Sequence, residues 1–293
     1  MGQELAAFST EISRLVAAAA ASAAAVHARP RFSSSGVFWR PGVIVTAEHT
    51  VRREDDIRVT LPDGQTTAAT LAGSDPGTDL AVLRVEGDAG TPVRRAERLP
   101  SAGNVALSVG RSENSGVNAT LGIISAVSGE WRTWRGGHLD AYLRLDLTLY
   151  PGSSGGVVLN TDGEALGVAS SALSRIAGVA IPASTVERVV EEILMRGHVA
   201  RGYLGVGLQP VELPDHQKGL IVLSLEPGGP AARAGVLIGD IFVSLDGAAV
   251  SGTEDVQHAL EKRRPGERVE AKIWRGGDGR TLAIEIGERP RRS

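Results

Sequence analysis

Between residues 33 and 180 the apolar positions recur at every second residue or in short unbroken runs, the mark of β-strands. Residues 42–46 form a β-branched run, and 57–61 alternate before the turn sequence Pro62-Asp63-Gly64. Runs at 80–85, 105–109 and 119–127 follow. The cleanest period of two spans 141–149, where Ala141, Leu143, Leu145, Leu147 and Leu149 alternate with Tyr142, Arg144, Asp146 and Thr148. Residues 157–160 and 165–169, with Asp162-Gly163 between them, predict a hairpin. Short strands at this spacing predict an all-β barrel or sandwich.

The period then changes. Val186, Val189, Val190, Ile193 and Leu194 make one helical stripe, Ser184 and Glu187 have the spacing of a capping box, and Gly197 is placed to end the helix. From residue 200 a second unit begins, with strands predicted at 203–209, 219–225, 241–245, 269–274 and 281–286. Its two helical signals are a short one from Pro230 to Gly235 and a longer one starting near Ser251 with Glu254 three residues on. The pattern divides the chain into a first domain, 1–199, a second, 200–289, and a basic tail, 290–293. Residues 1–32 read as an Ala-rich extension of the first domain. The 12-residue apolar run 15–26 is shorter than the ~20 residues a membrane span needs. With Glu4 and Glu11 before it and only Arg14 in support, it lacks the positive leader of an export signal. It is expected to dock on the first domain as a helix or strand.

Composition narrows the function. The 293 residues carry 31 Lys+Arg against 34 Asp+Glu, a net charge of -3, so no global field recruits nucleic acid. Cysteine is absent, which excludes disulfides, thiolate metal sites and a Cys nucleophile. The 37 glycines fit tight turns between strands.

Candidate chemistry starts at Pro151-Gly152-Ser153-Ser154-Gly155-Gly156, a glycine-rich turn after a strong strand. Such a turn can expose a hydroxyl and aim backbone N–H groups at one point, as an acyl-transfer oxyanion needs. A serine needs a base. Of six histidines, His49 alone directly follows a buried-type run, while His27, His138, His198, His216 and His258 read as surface residues. Asp79, at the start of the run 80–85, is the carboxylate placed to orient an imidazole, whereas Asp63, Asp75 and Asp88 read as solvated turn residues. The order His49, Asp79, Ser154 is the chymotrypsin-type order.

These segments resemble the HtrA/Deg family of serine proteases. Thr46-Ala47-Glu48-His49-Thr50-Val51 is similar to its TNNHVV, 78–83 to its TDLAVL, 146–156 to its DAAINPGNSGG, 178–182 to its GFAIP and 201–206 to its RGYLGV. The resemblance implies a mostly β fold: a chymotrypsin-like double β-barrel, then a small α+β PDZ domain. It implies a triad of His49, Asp79 and Ser154, an oxyanion hole at Gly152, Ser153 and Ser154, and no cofactor or metal. Tyr203, Leu204, Gly205 and Val206 would hold a peptide's terminal carboxylate, the peptide adding as a strand beside 206–209. Unfolded or misfolded proteins are the expected substrates and a homotrimer the expected assembly. The family is usually periplasmic, a location for which the sequence shows no signal.

The sequence departs from the family at Tyr150 and Ser153, where Asn is usual, at Val157, where Pro is usual, and at Ser33-Ser34-Ser35, in a glycine-rich place. Two classes stay open: an active endopeptidase, and a non-catalytic peptide-binding or chaperone protein on the same scaffold.

Overall fold

The structure is a computed structural model describing residues 2–87, 89–199, 202–213, 216–261, 263 and 265–288. The expectations placed on Asp88, Arg201 and the tail 290–293 lie outside these. Two compact units are present, Met1–Val199 and Ala200–Ser293.

The first unit opens with α1 (Gly2–Ala20), which buries Leu15 and Ala19 and leaves Leu5 and Phe8 exposed. The alanine run then changes conformation and becomes β1 (Ala23–His27), with Ala23, Ala24 and Ala25 all buried. Residues 1–32 are thus more than an extension. β1 pairs with both β2 (Ser34–Arg40) and β4 (Ile57–Thr60), and so closes the first barrel. The remaining staves are β3 (Val43–Ala47), β5 (Thr66–Asp75) and β6 (Leu80–Val85), in the order β1-β2-β3-β6-β5-β4.

The second barrel begins with β7 (Val105–Ser112) and β8 (Gly116–Ser128). A small hairpin follows, β9 (Trp131–Arg132) with β10 (His138–Leu139). Then come β11 (Tyr142–Asp146), β12 (Val157–Leu159), β13 (Ala165–Ser170) and β14 (Val179–Pro182), closing in the order β11-β14-β13-β12-β7-β8. β11 is shorter than its alternation predicts. Its last pairing is Asp146 with Ile123, and Leu147 then crosses over Gly122, where a Cβ would sit 2.1 Å from the Asp146 carbonyl. The glycine permits that crossing and turns residues 147–156 out of the sheet.

Helix α2 (Ala183–Arg196) ends at Gly197 with φ 78°, as its sequence signals. The expected capping box does not form, because the helix starts at Ala183 with no side-chain cap. Glu187 is drawn away instead by Trp39 Nε1 (2.6 Å), Arg40 and Arg95, whose hydrogen bonds outweigh burial and hold its carboxyl below the usual range. Val186, Val189, Val190 and Ile193 join one core with Val45 and Val82 of the first barrel and Val109 and Val168 of the second.

The second unit holds β15 (Gly202–Tyr203), β16 (Val206–Glu212), β17 (Lys218–Leu225), α3 (Pro230–Arg233), β18 (Ile241–Leu245) and β19 (Ala248–Ala249). Helix α4 (Thr253–Glu261), β20 (Arg268–Arg275), β21 (Asp278–Glu285) and β22 (Gly287–Glu288) complete it. The main sheet runs β16-β17-β18-β20-β21, which leaves β16 on an edge. The entry to α4 is held by Asp255, not Glu254. Asp255 Oδ2 accepts from the N–H groups of Ser251 (2.7 Å) and Gly252 (3.0 Å). No helix among the described residues is long and apolar enough to cross a membrane.

Candidate active site

β3 and β6 pair antiparallel with Ala47 opposite Leu80, so the residues just beyond each partner meet at one end of the first barrel. After β3 a single 3-10 turn, Glu48–Thr50, carries His49. Before β6 stands Asp79, fully buried and in the left-handed region at φ 59°. Its carboxylate accepts from His49 N–H at 2.9 Å, from His49 Nδ1 at 2.9 Å and from Ser170 Oγ at 2.5 Å. A carboxylate only accepts, so Nδ1 carries the imidazole proton and Nε2 is left as a base. Asp75 is not the solvated turn residue its sequence suggests. It is buried and holds the turn before Asp79 by accepting from Gly77 N–H (3.1 Å), Thr78 N–H (3.2 Å) and Thr78 Oγ1 (2.8 Å).

Ser154 comes from the second barrel, on the loop between β11 and β12. Gly152 (φ 96°) and Gly155 (φ 88°) supply backbone conformations that other residues rarely adopt. Gly155 also lies against the first barrel, where a Cβ would meet the Ser35 carbonyl at 2.1 Å. Ser35 pins the loop further, its N–H and Oγ each 2.8 Å from the Gly152 carbonyl. Ser153 N–H donates to the Tyr150 carbonyl (2.9 Å), whereas the N–H groups of Gly152 and Ser154 donate to none of the described residues. Ser154 Oγ is 2.9 Å from Ser171 Oγ and accepts from Ser171 N–H at 3.3 Å. Among the described residues it makes no hydrogen bond to His49.

A loop between the two strands of the small hairpin braces this arrangement. Thr133 Oγ1 donates to the Gly77 carbonyl (2.7 Å), and Trp134 Nε1 donates to the Ala172 carbonyl (3.4 Å). Arg135 Nη1 meets Glu48 Oε2 at 3.2 Å. Burial first, then the neighbouring Asp79 charge, pushes the Glu48 carboxyl above the usual range, and Arg135 opposes the shift. Sequence reasoning missed Ser35, Thr133, Arg135, Ser170 and Ser171. Each is a single polar residue whose partner is distant in the chain, so no local spacing marks it.

Of the other histidines, His27 is a half-buried strand residue 2.8 Å from Thr60 Oγ1, not a surface loop residue. Beside the Ser154 loop, Thr148 is exposed, and Leu149 lies against Gly178, where a Cβ would meet Leu149 Cδ1 at 2.8 Å. Among the described residues no three His, Asp or Glu side chains could together hold a metal ion.

In the second unit Leu204 is a core residue at 2% exposure, packed with Phe242 and Ile284 rather than facing a groove. Gly205 has φ 73°, and its carbonyl accepts from Glu226 N–H (2.9 Å). The N–H groups of Leu204 and Gly205 donate to none of the described residues. Val206 and Leu208 are half-buried on the edge strand β16, and Tyr203 is half-buried on β15.

Two six-stranded barrels with a histidine and an aspartate at the end of one and a serine loop from the other define the trypsin-like peptidase class. Residues 34–168 match the trypsin-like peptidase domain model, and residues 202–286 match the PDZ domain model. The serine endoprotease DegS of Escherichia coli is 33% identical over 281 residues, covering 89% of this chain and 78% of that one. A probable periplasmic serine endoprotease, DegP-like, of Halomonas elongata is 33% identical over 276 residues, 89% of this chain and 57% of that one. The chain therefore spans a little over half the length of the DegP-like relatives it matches. Among solved structures, a serine endoprotease from Yersinia pestis aligns with TM-score 0.77 and 31% identity, over 95% of this chain and 98% of that one. The HtrA-type protease AlgW with decapeptide aligns with TM-score 0.75 and 29% identity, over 96% and 99%. The chain belongs to the HtrA/Deg family of serine endoproteases with a PDZ domain.

Proposed function

We propose that the chain is a serine endopeptidase working through an acyl-enzyme. His49 Nε2 takes the proton of Ser154 Oγ as that oxygen attacks the scissile carbonyl carbon. The oxyanion collects the N–H groups of Gly152 and Ser154, with Ser153 as the spacer between them. His49 then gives its proton to the leaving amine, and water releases the acyl group by the reverse sequence. Asp79 keeps the imidazole in the tautomer this needs and stabilises the imidazolium. The observation that carries the reading is the buried Asp79 carboxylate, fixed by Ser170 and aimed at His49 Nδ1.

Thr148, six residues before Ser154 and flanked by Leu147 and Leu149, offers no acid to a basic side chain, and this favours cleavage after small or medium apolar residues. The second unit would bind peptide C-termini, with the free N–H groups at Leu204 and Gly205 meeting the carboxylate and the peptide adding to the open edge of β16. Unfolded or misfolded proteins are the proposed substrates and a homotrimer the proposed assembly, both on the strength of family membership.

The test is Ser154→Ala beside wild type, with a fluorophosphonate probe and an unfolded protein substrate. Losing the nucleophile of such a triad costs on the order of 10⁶ in turnover. Wild type should label at Ser154 and cleave, and the variant should do neither. A folded wild-type chain that does not label would sink the enzymatic reading and favour a binding protein acting through its PDZ domain.

A further inference from the structure

β13 ends at Ser170, and Ser171 follows directly after the strand; their side chains find different partners. Ser170 is fully buried and turned to Asp79, with its Oγ 2.5 Å from Oδ2. Ser171 is exposed and turned to the nucleophile loop, with its Oγ 2.9 Å and its N–H 3.3 Å from Ser154 Oγ. Among the described residues, Ser154 Oγ has no hydrogen-bond partner other than Ser171.

We infer that Ser171 is a positioning residue that holds the Ser154 hydroxyl away from His49 until a substrate displaces it. This rests on the reading of Ser154 as the nucleophile. The chemistry is the same whichever hydroxyl donates. If Ser154 O–H donates to Ser171 Oγ, its proton points away from the base that must remove it. If Ser171 O–H donates, it joins Ser171 N–H, and two donors occupy the lone pairs that must attack. Either arrangement lowers the reactivity of Ser154. Ser171 is exposed beside Ser154, so a chain that brings its carbonyl to Ser154 must crowd it aside. Release is therefore tied to substrate arrival. No bond is made or broken in this step beyond the exchange of one hydrogen bond for another.

The experiment compares wild type, Ser171→Ala, Ser171→Thr and Ser154→Ala, all as the full chain and all checked by melting temperature. Two quantities are read: the second-order rate of fluorophosphonate labelling, and kcat and KM for an apolar peptide ester. One net hydrogen bond is lost, so Ser171→Ala should label about three- to tenfold faster than wild type. Its kcat/KM should rise by the same factor through a lower KM, with kcat unchanged, because bound substrate has already broken the contact. Ser171→Thr keeps a hydroxyl and should restore the slow labelling. A purely structural serine would lower kcat or the melting temperature and would not speed labelling. Labelling of Ser171→Ala at or below the wild-type rate, with wild type labelled at Ser154, would overturn the inference and leave the triad standing. Failure of wild type to label at all would overturn both.

Discussion

Gly137→Ala tests whether the loop carrying Thr133 and Arg135 positions Asp79, the proposed triad aspartate. Gly137 is buried, and a Cβ there would stand 2.1 Å from both the Gly77 carbonyl carbon and its oxygen, and 2.6 Å from Thr78 N. These are backbone atoms that cannot rotate away. Ordinary contact begins at 3.4 Å, so the loop must retreat by about 1.3 Å. The Thr133 Oγ1 to Gly77 bond, now 2.7 Å, is then stretched beyond hydrogen-bond length. Gly77 sits two residues before Asp79 in the turn that Asp75 holds, so the strain reaches the carboxylate that orients His49. Overpacking of this kind costs about 1–3 kcal/mol. A misplacement near 1 Å at a catalytic group costs about 100-fold, so kcat should fall by about 10- to 100-fold at an unchanged fold. Gly129→Ala is the control, because a Cβ at Gly129 meets nothing within 4 Å. The assay is kcat on an apolar peptide ester, with melting curves for all three proteins. A lowered melting temperature with kcat within twofold of wild type would show that the loop stabilises the fold without positioning Asp79.

Three further outcomes are expected. Arg135→Gln removes the largest of the charges that oppose the Glu48 shift, leaving His49 and Arg52, and the Glu48 carboxyl is already pushed up by burial and by Asp79. A raised carboxyl costs stability as pH rises through its folded value, so the melting-temperature loss of the variant should be larger at about pH 8 than at about pH 4; a pH-independent loss refutes the pairing. In the second unit, burial alone would raise the Asp240 carboxyl. The two 2.7 Å bonds from Arg275, with Leu237 N–H, outweigh that and hold it below the usual range. A lowered carboxyl contributes stability above its unfolded pKa of about 3.9 and loses it as pH falls through the folded value. The melting gap between wild type and Asp240→Asn should therefore close on acidification below that window. Finally, amidating the end of an apolar-ended peptide should weaken its binding by about tenfold or more by calorimetry, since the charge-assisted bonds proposed at Leu204 and Gly205 would be lost; equal affinities would mean that chain ends are not read.

The barrels and the three candidate catalytic residues were legible because each has a local signature. His49 and Asp79 stand at the ends of apolar runs that pair as β3 and β6, and Ser154 stands in a glycine turn. Residues recruited from afar were not legible. The Ser184/Glu187 spacing suggests a cap, yet Glu187 bonds Trp39, Arg40 and Arg95 instead, because ionic partners on other elements offer more than one orphan N–H. The alanine run 15–26 suits helix and strand alike, and barrel closure against β2 and β4 decides where it changes. The period of two over 141–149 ends early because Gly122 lets the chain cross. Leu204 reads from the sequence as part of a carboxylate-holding loop beside Gly205, and the pattern alone does not show that its side chain fills the core.

The two halves of the site are held very differently, and this sets where control of the reaction lies. Asp79 is fully buried and bonded to the backbone and ring of His49 in the first barrel and to Ser170 of the second, so the His–Asp half is held from both barrels. The Ser154 hydroxyl can swing about one bond, and its rest position depends on Ser171. The adjacent serines at and just past the end of β13 should therefore act with opposite signs. Ser170→Ala removes a bond to a buried carboxylate, worth about 1.5–3 kcal/mol for a charged acceptor, and should lower both kcat and the melting temperature. Ser171→Ala should raise kcat/KM and leave the melting temperature alone. Effects of the same sign from both serines would mean that the end of β13 only supports the loop, and that the nucleophile is set elsewhere.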